Sequence, residues 1–67
     1  MTLAQAIREI RRRSGLTQEE FSASFERTQT WCSYVESGNR APSITDLQRL
    51  SVRYGLILTK GYWDVAA

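Results

Sequence analysis

Four arginines fall within six positions, Arg8, Arg11, Arg12 and Arg13, and eight of the nine cations in the chain are arginine. Guanidinium groups grip phosphates and carboxylates through paired hydrogen bonds. The cluster therefore reads either as a phosphate-contacting patch or as a solvated helix face. Other chemistry is hard to assemble here. No histidine is present to take a proton at neutral pH. The single cysteine, Cys32, cannot form an internal disulfide, and one cysteine without histidine cannot build a four-ligand zinc site. The glycines stand apart at 15, 38, 55 and 61 and make no phosphate loop. Seven scattered acids give little basis for a paired-carboxylate active site. The residue types argue against an enzyme, and no cofactor or metal is expected.

The elements that must hold these residues are short. The chain has 67 residues, 42% hydrophobic and 24% charged, with a net charge of +2 and a pI near 9.1. That is one small domain, and it buries only about 60% of its unfolded surface. A tight helical core, a second copy, or both must supply the rest. No apolar run approaches the ~20 residues of a membrane span. The opening residues read as the start of a helix, so no secretory leader is expected, and an unpaired cysteine suits a reducing, cytoplasmic setting.

Four helices follow from caps and apolar spacing. Thr2 caps a first helix to Ser14, with Leu3, Ala6, Ile7 and Ile10 on one stripe. Thr17 and Glu20 have capping-box spacing before a second helix, Gln18 to Phe25, with Phe21 and Phe25 on one face. Thr28 precedes a third, Gln29 to Ser37, whose inward pair is Cys32 and Val35. After the Asn39–Pro42 loop, Ser43 and Asp46 open a fourth helix that ends at Gly55. Its apolar positions read as Ile44, Leu47 and Leu50, extended by Val52 and Tyr54. Leu56–Thr59 and Tyr62–Val65 are β-prone around Lys60-Gly61, so the tail is a strand or a hairpin. A fifth helix there is the less favoured alternative.

The second and third helices have helix-turn-helix spacing. Phe21, small Ser22, Cys32 and Val35 stand where two closely crossing helices need apolar and small residues. Gln29, Thr30, Ser33 and Tyr34 share the face opposite Cys32 and Val35.

With IREIRRRSGLTQEEF, TQTWCSYVESGNRAPS and LQRLSVRYGL in place, the chain resembles the lambda-repressor-like helix-turn-helix family, the XRE or Cro/C1 type, over about residues 3 to 56. Two positions depart from it. Glu26 stands at the turn where the family usually has glycine, which costs on the order of 1 kcal/mol if the left-handed turn is kept. Arg27 replaces an apolar residue and would have to snorkel along the surface.

The resemblance implies an all-α domain of four to five helices over residues 1–55, with the motif at about 18–37 and a tail at 56–67. It also implies a sequence-specific DNA-binding transcriptional regulator, a repressor on a pseudo-palindromic operator, with the 29–37 helix in the major groove. Gln29, Thr30, Ser33 and Tyr34 would contact bases. Glutamine can bond adenine in a bidentate way, and threonine can meet a thymine methyl. Gln18, Thr28, Trp31, Asn39 and Arg40 would contact phosphates, with Trp31 equally suited to be a partly buried anchor. Arg11 and Glu36 would form a structural ion pair joining the first and third helices. Buried Cys32 would act as a small hydrophobe.

The partners implied are double-stranded DNA and a second copy of the chain. Leu56, Ile57, Leu58, Tyr62 and Trp63 are the candidate dimer contact, with a hairpin folded onto its own domain as the alternative. A phage switch, a controller protein and a small antitoxin with a toxin partner all fit. So does a protein-interaction module on this fold with little DNA binding of its own.

Overall fold

The computed structural model describes residues 1–67: α1 (Leu3–Ser14), α2 (Gln18–Ala23), α3 (Gln29–Ser37), α4 (Ile44–Tyr54), β1 (Leu56–Thr59) and β2 (Tyr62–Val65). Local hydrogen bonds set the helix starts. Thr2, Thr17 and Ser43 each close a full capping box, with Gln5, Glu20 and Asp46 reaching back to the cap amide. Thr28 also stands at a cap position, but its side chain makes no cap hydrogen bond. α2 ends at Ala23, two residues before the expected Phe25, because the chain turns at Ser24–Glu26.

The core gathers where α1, α2 and α3 meet. Ala6, Ile7 and Ile10 face Phe21, Phe25, Cys32 and Val35, all at most 2% exposed. Ser22 is fully buried, and its hydroxyl accepts the Cys32 amide at 3.2 Å. A small residue is needed there because the α3 backbone comes that close. Trp31 departs from its phosphate-contacting reading. It is 2% exposed, its ring 5.2 Å from Phe25 and 6.4 Å from Phe21, so it is a core anchor. α4 also turns differently from its apolar pattern. Leu50 is buried and Leu47 and Tyr54 pack on the core, while Ile44 and Val52 are 75% and 87% exposed. The apolar stripe on that helix is wider than the face it has to bury.

The tail is a two-residue hairpin. β1 and β2 pair antiparallel from Leu56↔Val65 to Thr59↔Tyr62. Lys60 and Gly61 both have positive φ, 52° and 86°, as a type I′ turn requires. The hairpin folds back on its own helices. Met1 and Trp63 exchange backbone hydrogen bonds of 2.9 and 3.0 Å, and Arg13 donates to the Ala66 carbonyl at 3.1 Å. Leu56 is 2% exposed and Trp63 packs against the core, so neither is free to be a dimer contact. Gly55 makes this return possible. At φ 74° it lies so near Ala66 that a Cβ would come within 2.9 Å of the alanine methyl.

Glu26 keeps the left-handed turn at φ 58° without being glycine. Such a backbone strains an L-residue by about 1–2 kcal/mol, of which glycine's extra unfolded-state freedom takes back part. Glu26→Gly is therefore expected to stabilise the fold by about 0.5–1 kcal/mol, read as a higher urea midpoint at unchanged slope. A lower midpoint would mean that the Glu26 side chain contributes more than its backbone costs.

Candidate nucleic-acid interface

α3 has two sharply different faces. Trp31, Cys32, Val35 and Glu36 are buried, while Gln29, Thr30, Ser33 and Tyr34 are all exposed on the opposite side. Gln29 and Thr30 open the helix, and Ser33 and Tyr34 lie one turn further along the same surface. None of the four side chains is engaged in a hydrogen bond within the protein, so their donors and acceptors are available to a base edge.

The expected phosphate contacts flank this face. Thr28 is exposed with a free hydroxyl. Beyond the other end of α3, the Tyr34 carbonyl accepts the amides of Gly38, Asn39 and Arg40, which winds the loop tightly and leaves Asn39 and Arg40 exposed. Arg40 has no acidic partner. Gln18 is half-buried and donates to Glu36 Oε1 at 3.4 Å, which leaves it a second N–H. Glu19 and Glu20 share the first turn of α2, so a phosphate at that helix start would meet two carboxylates.

Each arginine of the cluster has a partner within the protein, though Arg8, Arg12 and Arg13 stay largely exposed. Arg12 and Arg13 both clamp Glu9, at 2.7 and 2.8 Å, and hold its carboxyl down to about 2. Arg8 donates to the Glu36 carbonyl at 3.1 Å. Arg11 makes the expected ion pair: its Nε and Nη2 donate to the two oxygens of Glu36, and Nη1 donates to the Leu16 carbonyl at 3.1 Å. Glu36 is 4% exposed. Burial pushes its carboxyl up, but Arg11, Cys32 and Gln18 together bring it below the ordinary range.

Cys32 belongs to the same network, so it is more than a small hydrophobe. Its thiol donates to Glu36 Oε2 at 3.0 Å, and burial followed by the adjacent carboxylate pushes it up to about 12. Arg27 likewise does not simply snorkel. It pairs with Asp46 at 2.9 Å and lies over the Trp31 ring. The Cys32–Glu36 contact joins successive turns of α3, whereas the Arg27–Asp46 pair spans 19 positions and leaves no local trace in the sequence.

The family described as "Helix-turn-helix domain" matches residues 2–58. The chain belongs to the helix-turn-helix family of the XRE, or Cro/C1, type. Control protein C.MunI of Mycoplasma sp is 30% identical over 53 residues, 79% of this chain and 72% of that protein. No solved structure matches. This helix-turn-helix protein is a DNA-binding transcriptional regulator, and α3, the second helix of the motif, carries its two-faced surface. No helix of it is long and apolar enough to cross a membrane.

Proposed function

We infer that this regulator is a repressor that binds a pseudo-palindromic operator as a homodimer, with α3 in the major groove. The observation that carries the reading is the exposed set Gln29, Thr30, Ser33 and Tyr34, held rigidly by the buried face behind it. In this reading the four read bases, while Gln18, Thr28, Asn39 and Arg40 contact phosphates and fix the register. Such a short motif reaches few base pairs, so useful specificity needs two copies one helical turn apart.

The hairpin supplies the dimer contact through Ile57, Leu58 and Tyr62, which are 43%, 60% and 52% exposed. Ile57 and Tyr62 share the outward face of the hairpin, and Leu58 lies on the other face beside Trp63, so a second copy across a two-fold axis would meet the exposed hairpin from its outer side and rim. The similarity to a protein named as a control protein favours the controller reading over the phage-switch and antitoxin readings.

Selection from a randomised duplex pool tests the DNA arm. The wild type is expected to enrich an inverted repeat with half-sites about ten base pairs apart. A Gln29→Ala/Ser33→Ala variant is expected to bind that duplex about 10–100-fold more weakly, since a lost bidentate contact costs about 1–3 kcal/mol. If the folded wild type enriches nothing, the protein is an interaction module instead. The dimer arm uses sedimentation of Leu58→Asp/Tyr62→Ser, expected to be monomeric. An unchanged dimer would remove the hairpin from the interface. Deleting residues 56–67 is not a clean alternative, because it also strips Leu56 and Val65 from the core.

A further inference from the structure

Two side chains of α4 reach back to the turn that joins α2 to α3. Neither belongs to the exposed face of α3 or to the Glu36 network. Asp46 is 1% exposed, and its Oδ2 accepts Arg27 Nη2 at 2.9 Å. The same oxygen accepts the Ser43 amide at 3.1 Å, so one atom serves both the α4 cap and the ion pair. The Arg27 guanidinium lies 5.8 Å from the centroid of the Trp31 ring. Two turns further along α4, Arg53 Nη1 donates to the Ser24 carbonyl at 2.8 Å and lies 5.7 Å from the Phe25 ring centroid. The turn is thus tied to α4 at both its ends, Ser24 and Arg27.

Between these two ties stands Glu26, the left-handed residue. A strained backbone of this kind persists only when its surroundings over-determine it. The turn's own hydrogen bonds, from the amides of Phe25, Glu26 and Arg27 to the carbonyls of Ser22 and Ala23, tie it to α2 alone. They say nothing about the direction in which α3 leaves. The two ties to α4 add that reference.

We propose that Arg27, Asp46 and Arg53 are positioning residues: α4 clamps the turn at both ends and so sets the angle at which α3 meets the base edges. The inference rests on the DNA-binding reading above. Hydrogen bonds to base edges fail at small errors of distance and angle, whereas sequence-independent attraction to the phosphate backbone is longer-ranged. Loosening the clamp therefore lowers discrimination between sequences and leaves general DNA affinity in place. Arg27 is held back from phosphate by its partner. Releasing it would leave the buried Asp46 carboxylate unpaired.

The test compares Arg27→Gln, Asp46→Asn, their double variant, Arg53→Gln and Arg27→Lys with the wild type. Asp46→Asn keeps an acceptor for the Ser43 amide, so the α4 cap survives. Two quantities are read: amide hydrogen exchange in the free protein, and affinity for the selected duplex relative to a random duplex across a salt series. The affinity ratio is expected to fall about tenfold in Arg27→Gln and in Asp46→Asn, no further in the double variant, and to be largely kept in Arg27→Lys. Arg53→Gln is expected to lower the ratio in the same direction. Exchange at Phe25, Glu26 and Arg27 is expected to quicken while that of Ile7 and Ile10 holds. Random-duplex binding should keep its salt slope.

An equal loss on both duplexes, with a slope shallower by about one, would make Arg27 a phosphate contact and overturn the proposal. Unchanged ratio and unchanged exchange would overturn it as well. If the wild type selects no duplex, the DNA-binding reading fails on its own. The exchange data then still decide the clamp, quickened turn amides supporting it and unchanged ones refuting it.

Discussion

Arg11→Met is expected to destabilise the protein by about 3–5 kcal/mol, the cost of stripping a buried carboxylate of its partner. Glu36 is 4% exposed, and three of its neighbours, Arg11, Cys32 and Gln18, are donors. The last two carry no charge, and Arg8, whose Nε lies 3.9 Å from Glu36 Oε1 on a side chain 62% exposed, offsets only part of the loss. A chain of 67 residues has a total stability of about 3–10 kcal/mol, so this single change consumes much or all of it.

Arg12→Met is the matched control. It removes the same chemistry from a pair whose arginine side chain is 69% exposed. Such surface pairs contribute at most about 1 kcal/mol. Urea midpoints measured by circular dichroism separate the two, and equal losses would show that burial of Glu36 plays no part.

The pH dependence has a definite sign. Glu36 is held below its unfolded value of about 4.3, so its stabilisation is fully present above that pH and fades as pH falls toward the folded value. Glu36→Gln should lack this share of the acid loss.

Trp31→Ala is the second large effect, with an expected loss of about 3–5 kcal/mol. The ring is 2% exposed, stacks with Phe21, meets Phe25 at a tilt, and is covered by Arg27. Truncation removes one flank of the aromatic cluster centred on Phe21 and Phe25 and also leaves Arg27 without its platform. Tyr34, three residues on, is 48% exposed, and Tyr34→Ala is expected to stay within about 0.5 kcal/mol of the wild type while weakening DNA binding. The opposite ranking would place Trp31 on the DNA side and Tyr34 in the core.

Local signals carried most of the fold. Thr2, Thr17 and Ser43 satisfy the free amides of the helix starts they precede, and Gln5, Glu20 and Asp46 answer them three residues later. Those bonds lie within one turn of chain, so residue order alone specifies them. The face shared by Gln29, Thr30, Ser33 and Tyr34 follows equally from helical period once Cys32 and Val35 are taken as inward. The Arg11–Glu36 pair spans 25 positions. It was legible only through the family resemblance.

What tertiary structure alone decided concerns residues with two defensible homes. Trp31 suits a groove or a core, and it lies inside because Phe21, Phe25 and Arg27 converge on it from other elements. Leu56 and Trp63 suit a dimer contact, and they turn inward because Gly55 and the Met1–Trp63 bonds fold the hairpin onto its own domain. Ile44 and Val52 fit the α4 stripe, yet the orientation that buries Leu50 points them to solvent. Arg27 finds Asp46 across 19 positions. Helical period fixes which side chains share a face, but which faces meet depends on how the elements pack together, and no stretch of sequence contains that.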